Sequence, residues 1–140
     1  MAGPNSVNRP LNAFSLAQRG MSAQMVRMNA AASNLANAGS VAASEGEAYR
    51  PVRAVFAEDL DRASGQSTVR VRSVVRENTA PTRRYEPGHP LADANGEVWV
   101  SPVDENAEMV EMLEASRQYQ NIVEALSTTK QLMLDTMRLK

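Results

Sequence analysis

Cysteine is absent, histidine occurs once, and only 4% of the 140 residues are aromatic. The first absence excludes a disulfide scaffold and a thiolate metal site. The second leaves a single imidazole, His89, set between Gly88 and Pro90 in a turn-rich stretch with Asp93 as its nearest base-like neighbour in sequence. A lone histidine in such a place carries no catalytic geometry. The third leaves few large side chains to fill a core, which is therefore thin or shared with another molecule. Neither sign of charge prevails: 15 basic residues face 16 acidic ones. No global field then draws the chain to nucleic acid or to an anionic membrane, and a partner must be recognised by shape. No apolar run approaches the roughly 20 residues of a membrane span. The opening MAGPNSVNRPLNAF lacks the apolar stretch of a secretory signal, so export would follow another route. Phosphate loops, paired-histidine spacings and nucleophile motifs are also missing, and no catalytic, cofactor-binding or metal residue is assigned.

What is present divides the chain in three. Prolines at 4, 10, 51, 81, 87, 90 and 102 leave two proline-free windows, 11–50 and 103–140, and every methionine but Met1 lies inside them. In the first, Phe14, Ala17, Met21, Gln24, Met28, Ala31, Leu35 and Ala38 recur in alternating steps of three and four, the seam of a coiled coil. A helix over 12–38 is predicted, capped by Asn12 and ended by Gly39. The second opens on Ser101-Pro102-Val103-Asp104, a cap residue followed by a proline suited to a first helical position. From there Met109, Met112, Ser116, Tyr119, Val123, Leu126, Lys130, Met133 and Met137 repeat the same step. Asp104, Glu105 and Glu108 suit the N-terminal end of this helix dipole, and Arg138 and Lys140 its C-terminal end. Leu132 and Leu134 leave the stripe, so that end expects more than one neighbour.

The middle has a different texture. Tyr49–Ala57, Thr68–Val75 and Val98–Val100 alternate as strands do. Turns are expected at 61–67, 86–90 and 93–97, with Asn95-Gly96 the strongest hairpin signal. Arg70, Arg72, Arg76, Arg83 and Arg84, beside Tyr85, form a basic cluster, but eight arginines in this middle segment meet seven acidic residues. A solvated or subunit-facing strand surface is favoured over a nucleic-acid site. The expected fold is mainly α with a small β module: long, coiled-coil-like paired terminal helices flank a short hairpin-rich insert. Residues 1–48 and 103–140 would form one helical domain and 49–102 an outer module.

Methionine stripes are core by default. The first helix nonetheless offers only Leu11, Phe14, Met21, Met25, Met28 and Leu35 as large apolar residues, little to set against the entropy of ordering it. Both terminal helices are therefore expected to be mobile in the monomer and to order against neighbouring copies or partners.

"GMSAQMVRMNAAASNLANAGS" resembles the motif that opens the flagellar axial proteins. "YRPVRAVFAE", "YEPGHPLADANGEVWVSPVD" and "EMVEMLEASRQYQNIVEALSTTKQLMLDTMRLK" narrow the resemblance to basal-body rod proteins over nearly the whole chain from about residue 12. Two places depart from the family pattern: the first ten residues, with Pro4 and Pro10, and Tyr119-Gln120-Asn121-Ile122. The resemblance implies a structural subunit of the proximal rod, exported by the flagellar type III apparatus without a cleaved signal. It would assemble helically in the periplasm and transmit torque. The implied partners are its own copies, the rod proteins FlgB, FlgF and FlgG, the rod-base adaptor FliE and the surrounding MS ring, with no cofactor and no nucleic acid.

On that basis Ala30, Ala31, Ala32 and Ala36 would let helices approach closely. The expected subunit-packing residues are Phe14, Met21, Met28, Asn29, Ser33, Asn34, Leu35, Asn37, Met112, Tyr119, Val123, Leu126, Met133 and Met137. The amides would bond adjacent subunits, although Asn37 and Ser40 also suit simple termination of the helix. A different class, a free-standing helical hairpin acting as a binding module or export chaperone, predicts a compact, cooperatively melting monomer or dimer.

Overall fold

The computed structural model describes residues 9–62 and 65–139. The order is α1 (Arg9–Ala36), β1 (Val41–Ala42), β2 (Val52–Asp61), β3 (Gln66–Arg76), β4 (Thr82–Tyr85), β5 (Glu97–Val100) and α2 (Glu105–Arg138). β2 and β3, 10 and 11 residues long, form a two-stranded antiparallel ribbon, and β1-β5-β4 form a second antiparallel sheet. The expectation of a mainly α fold with a small insert is thereby overturned. The strands form two separate sheets, and the ribbon packs along α1 as α2 does. The reason lies in α1, which presents two buried stripes where the heptad reading saw one. Ala17, Gly20, Gln24 and Ala31 belong to the α2 side, and Ala23, Val26, Ala30 and Asn34 to the ribbon side.

α1 is already helical at Arg9, so Asn12 does not cap it, and Pro10 sits in the first turn, where its missing N–H is no loss. The helix ends two residues before the expected Ala38. The Asn37 amide nitrogen donates to the Ser33 carbonyl at 2.9 Å, and Gly39 takes φ +73° to turn the chain. α2 begins later than Ser101-Pro102 implies. Asp104 is its N-cap, accepting from the backbone N–H groups of Asn106 (3.0 Å) and Ala107 (3.2 Å). Ser101 instead ends the sheet region, its N–H donating to the Ser40 carbonyl at 2.9 Å.

Asn95-Gly96 does not form a two-residue turn, because Asn95 keeps negative φ. The loop is a type I turn over Asp93–Gly96, closed by the Gly96 N–H on the Asp93 carbonyl, with Gly96 at φ +76° as the left-handed residue that follows it. One Asp93 carboxylate oxygen holds the turn by accepting from the N–H groups of Asn95 and Glu97, both at 2.9 Å. His89 has a similar local task, its Nδ1 accepting from the Leu91 N–H at 3.1 Å. Arg83 stacks 4.7 Å from the ring centroid of Trp99, its cross-strand partner, and also pairs with Glu97.

Candidate subunit-packing site

The opposed tendencies of "MNAAASNLANAGS" resolve once α1 is placed. Ala30 and Ala31 are buried, so the backbone of α1 comes close to both neighbours. Asn34, with no exposed surface, meets the first residue of β2 with its whole amide. Its Nδ2 donates to the Val52 carbonyl at 3.0 Å, and its Oδ1 accepts from the Val52 N–H at 2.8 Å and from the Tyr49 hydroxyl at 2.9 Å. It thus acts as an extra strand partner for the start of the ribbon. Alanine shortens the distance between backbones, and asparagine supplies the hydrogen bonds that an edge strand needs there.

The remaining expected packing residues fall into two sets. Phe14, Met21, Met28 and Leu35 on α1, Asn37 just after it, and Met112, Tyr119, Leu126 and Met133 on α2 are half-buried. Asn29, Ser33, Val123 and Met137 are exposed, with Met137 at 70%. Ser33 Oγ shares a hydrogen bond with the Tyr49 hydroxyl at 3.0 Å. On α2 the sequence stripe is half in phase. Met112, Tyr119, Leu126 and Met133 share the inner face, but the positions between them are Glu108, Ala115, Ile122 and Thr129 rather than Met109, Ser116, Val123 and Lys130. A single residue of error moves a side chain by about 100° around the helix, which is enough to bring Met109 and Val123 out to solvent.

Glu108 lies in the first turn of α2, the dipole end its charge suits, and is 1% exposed. Arg53 of β2 reaches it with both terminal guanidinium nitrogens, and Arg53 Nε donates to Glu77 at 2.9 Å. The Glu108 hydrogen bond is the main cause that holds the Arg53 guanidinium far above the usual arginine range, against the opposing effect of burial. Arg27 Nε bonds Glu111 at 2.8 Å, and that bond likewise raises the Arg27 pKa. These two pairs, with Arg19 on Thr68 (2.8 Å) and Asp59 (3.5 Å), join α1, α2 and the ribbon. Sequence reading missed Arg53, Tyr49, Val52 and Ile122. Only Ala115, a small residue three positions beyond Met112, signals the true phase.

Among the described residues, prolines apart, the buried apolar side chains are Ala23, Ala30, Ala31, Ala42, Ala48, Ala115 and Val98, so Val98 is the one larger than alanine. Large apolar residues lie outside, including Met25, Leu60, Val69, Val110, Leu113, Leu132 and Met137. An apolar groove of about 320 Å³ between the helices is lined by Ala13, Leu16, Ala17, Ile122, Ala125, Leu126 and Thr129. Among the described residues no cluster of metal-ligating side chains occurs, and no helix is long and apolar enough to cross a membrane.

Comparison with known proteins agrees. Residues 94–139, spanning β5 and α2, match the family described as flagellar basal body rod FlgEFG protein C-terminal. The flagellar basal-body rod protein FlgC of Salmonella typhimurium is 47% identical over 131 residues, covering 92% of this chain and 96% of the relative. Those of Yersinia enterocolitica and Agrobacterium fabrum are 46% and 33% identical, each over 132 residues, covering 92% and 93% of this chain and 96% and 95% of the relatives. With an alanine core, apolar surfaces and relatives of matching length, the chain belongs to the FlgC family of flagellar basal-body rod proteins.

Proposed function

We propose that this chain is a structural subunit of the proximal rod, built to bury its surface against copies of itself and other rod proteins. The observation that carries the reading is the excess of surface. A compact monomer of 15.2 kDa exposes about 7,100 Å², whereas this chain exposes 9905 Å². Full exposure of the eleven residues outside the description would account for only about 1,700 Å² of the difference. The rest is folded chain without a neighbour, rich in large apolar side chains.

In this reading the exposed Asn29, Ser33, Val123 and Met137 contact adjacent subunits, together with the outer edges of the half-buried Phe14, Met21, Met28, Leu35, Asn37, Met112, Tyr119, Leu126 and Met133. The described parts of 1–48 and 103–140 form the inner helical layer, and those of 49–102 lie outside it. Helical assembly in the periplasm transmits torque, after export through the type III apparatus without a cleaved signal. FlgB, FlgF, FlgG, FliE and the MS ring are the neighbours that this position entails.

Hydrogen exchange on the dilute protein and on isolated basal bodies tests the proposal. The outer face of α2 and the ribbon should exchange in the free chain and gain protection in the rod. Equal protection in both states, or absence of the chain from basal bodies, would refute it.

A further inference from the structure

The ribbon has an apolar face that none of the described residues covers. Thr68 and Asp59 point to Arg19 of α1, and Arg53 points to Glu108 of α2, which fixes the inner face. The register then places Ala54 with Val74, Glu58 with Val69, and Leu60 with Ser67 on the other side, where Phe56 also lies. Leu60, Val69 and Val74 are each more than half exposed there. A two-stranded ribbon with one face on a helix normally turns polar residues to water on the other.

α2 carries a matching surface. Because Glu108, Ala115 and Ile122 face inward, Met109, Val110 and Leu113 stand outside, with Leu113 at 68% exposure. Most of the charges complement each other, with Glu58 on the ribbon's outer face and Arg117 on α2 as the exceptions. Among the described residues Arg62, Arg72 and Arg76 of the ribbon make no ion pair, and neither do Glu105, Glu114 and Glu124 of α2, Glu114 only sensing Arg27 at longer range. The lengths agree as well: eleven strand residues span about 35 Å, and residues 105–124 of a helix about 30 Å. Both surfaces point away from α1, so they do not meet within one chain.

We propose that the outer face of the β2–β3 ribbon is the docking surface for residues 105–124 of α2 in a second copy of this chain. This contact deepens the assembly reading above and rests on it. Two different patches meet, so the contact is heterologous and propagates from copy to copy instead of closing a two-fold dimer. Phe56, Leu60, Val69 and Val74 receive Met109, Val110 and Leu113, while the arginines of β3 and its turn set the register against the glutamates.

The absence of native cysteine makes the test clean. Val69→Cys and Leu113→Cys are placed in one chain and expressed in cells, and basal bodies are isolated, mildly oxidised and run on a non-reducing gel. The expected result is a ladder of dimers, trimers and higher species, with no cross-linking from either single variant. Leu60→Cys with Val110→Cys serves as a second pair should the first fail to incorporate. Arg72→Glu with Arg76→Glu should cut the ladder at least about tenfold, and adding Glu105→Arg with Glu114→Arg should restore it. If the chain is incorporated but stays monomeric with both cysteine pairs, the docking proposal falls and the face belongs to a different rod protein. Dimers from Val69→Cys alone would also overturn it, because the contact would then be two-fold. If the unaltered chain is missing from basal bodies, it is the assembly reading that fails.

Discussion

Arg53 and Glu108 should respond very differently to removal, although they share one ion pair. Glu108 is 1% exposed, while the Arg53 side chain is 34% exposed and keeps Glu77 as a second partner. Arg53→Met leaves a carboxylate sealed in the protein without its cation, a change expected to destabilise by about 3–5 kcal/mol. Glu108→Gln leaves an amide oxygen to accept from Arg53, with Glu77 and water for the rest of the guanidinium. Losing only the charge assistance should cost about 1–1.5 kcal/mol. The double variant Arg53→Met/Glu108→Met removes both charges and fills the space with apolar atoms, returning stability to within about 1 kcal/mol of the parent. Urea unfolding followed by far-ultraviolet circular dichroism reads all three. With a slope of roughly 2 kcal/mol/M, the arginine variant should lose about 2 M in midpoint, or its helical signal in plain buffer if the parent stability is smaller than that. A glutamate variant as damaging as the arginine variant, or a double variant worse than both, would refute the reasoning.

Three further outcomes follow from the geometry. Asn34→Ala removes three hydrogen bonds and strands the Val52 N–H and carbonyl, so it should destabilise by about 2–4 kcal/mol in the same assay. Gly20→Leu should destabilise by about 1–3 kcal/mol, since a Cβ there already meets Ile122 Cδ1 at 3.1 Å; Gly20→Ala should be near neutral, because helix propensity offsets a small shift of that flexible side-chain end. The Arg53 pKa is raised in the folded state, so its stabilisation is complete below the ordinary arginine range and lost only above it. Urea midpoints of the parent relative to Arg53→Met should therefore keep the same gap from pH 7 to about pH 10, and a gap that closes over that window would contradict the assignment.

The helices were legible because proline placement and apolar spacing are local, and the family resemblance was legible because it rests on contiguous words of sequence. The phase of α2 was not. Met109 and Val123 outrank Glu108 and Ala115 on any hydrophobic scale, yet the inner face takes the glutamate and the alanine. What decides is a partner 55 residues away in sequence, Arg53, which makes a buried carboxylate tolerable there. The two-sided character of α1 was hidden for a related reason. Its ribbon-facing stripe is made of Ala23, Val26, Ala30 and Asn34, of which Ala30 reads as a close helix contact and Asn34 as a bond to an adjacent subunit until Val52 and Tyr49 are seen to meet the amide. β4, with Arg83 and Arg84 among its four exposed residues, offers no apolar alternation at all, and its pairing is set by β5.

These misses share one physical cause. Sequence reading assumes that a chain puts its largest apolar residues inside, but among the described residues the fully buried interior is mainly alanine, with Val98, Asn34 and the Glu108 carboxylate, while many leucines, valines and methionines are exposed. Close backbone approach and directional polar bonds give the subunit its shape at little apolar expense. The large side chains are then left for burial between subunits, where each square ångström removed from water contributes about 25 cal/mol. The folded-chain surface beyond that of a compact monomer, at least about 1,100 Å², is thus a free-energy source for assembly rather than a defect of folding. Moving those residues inward would make a better monomer and a poorer rod.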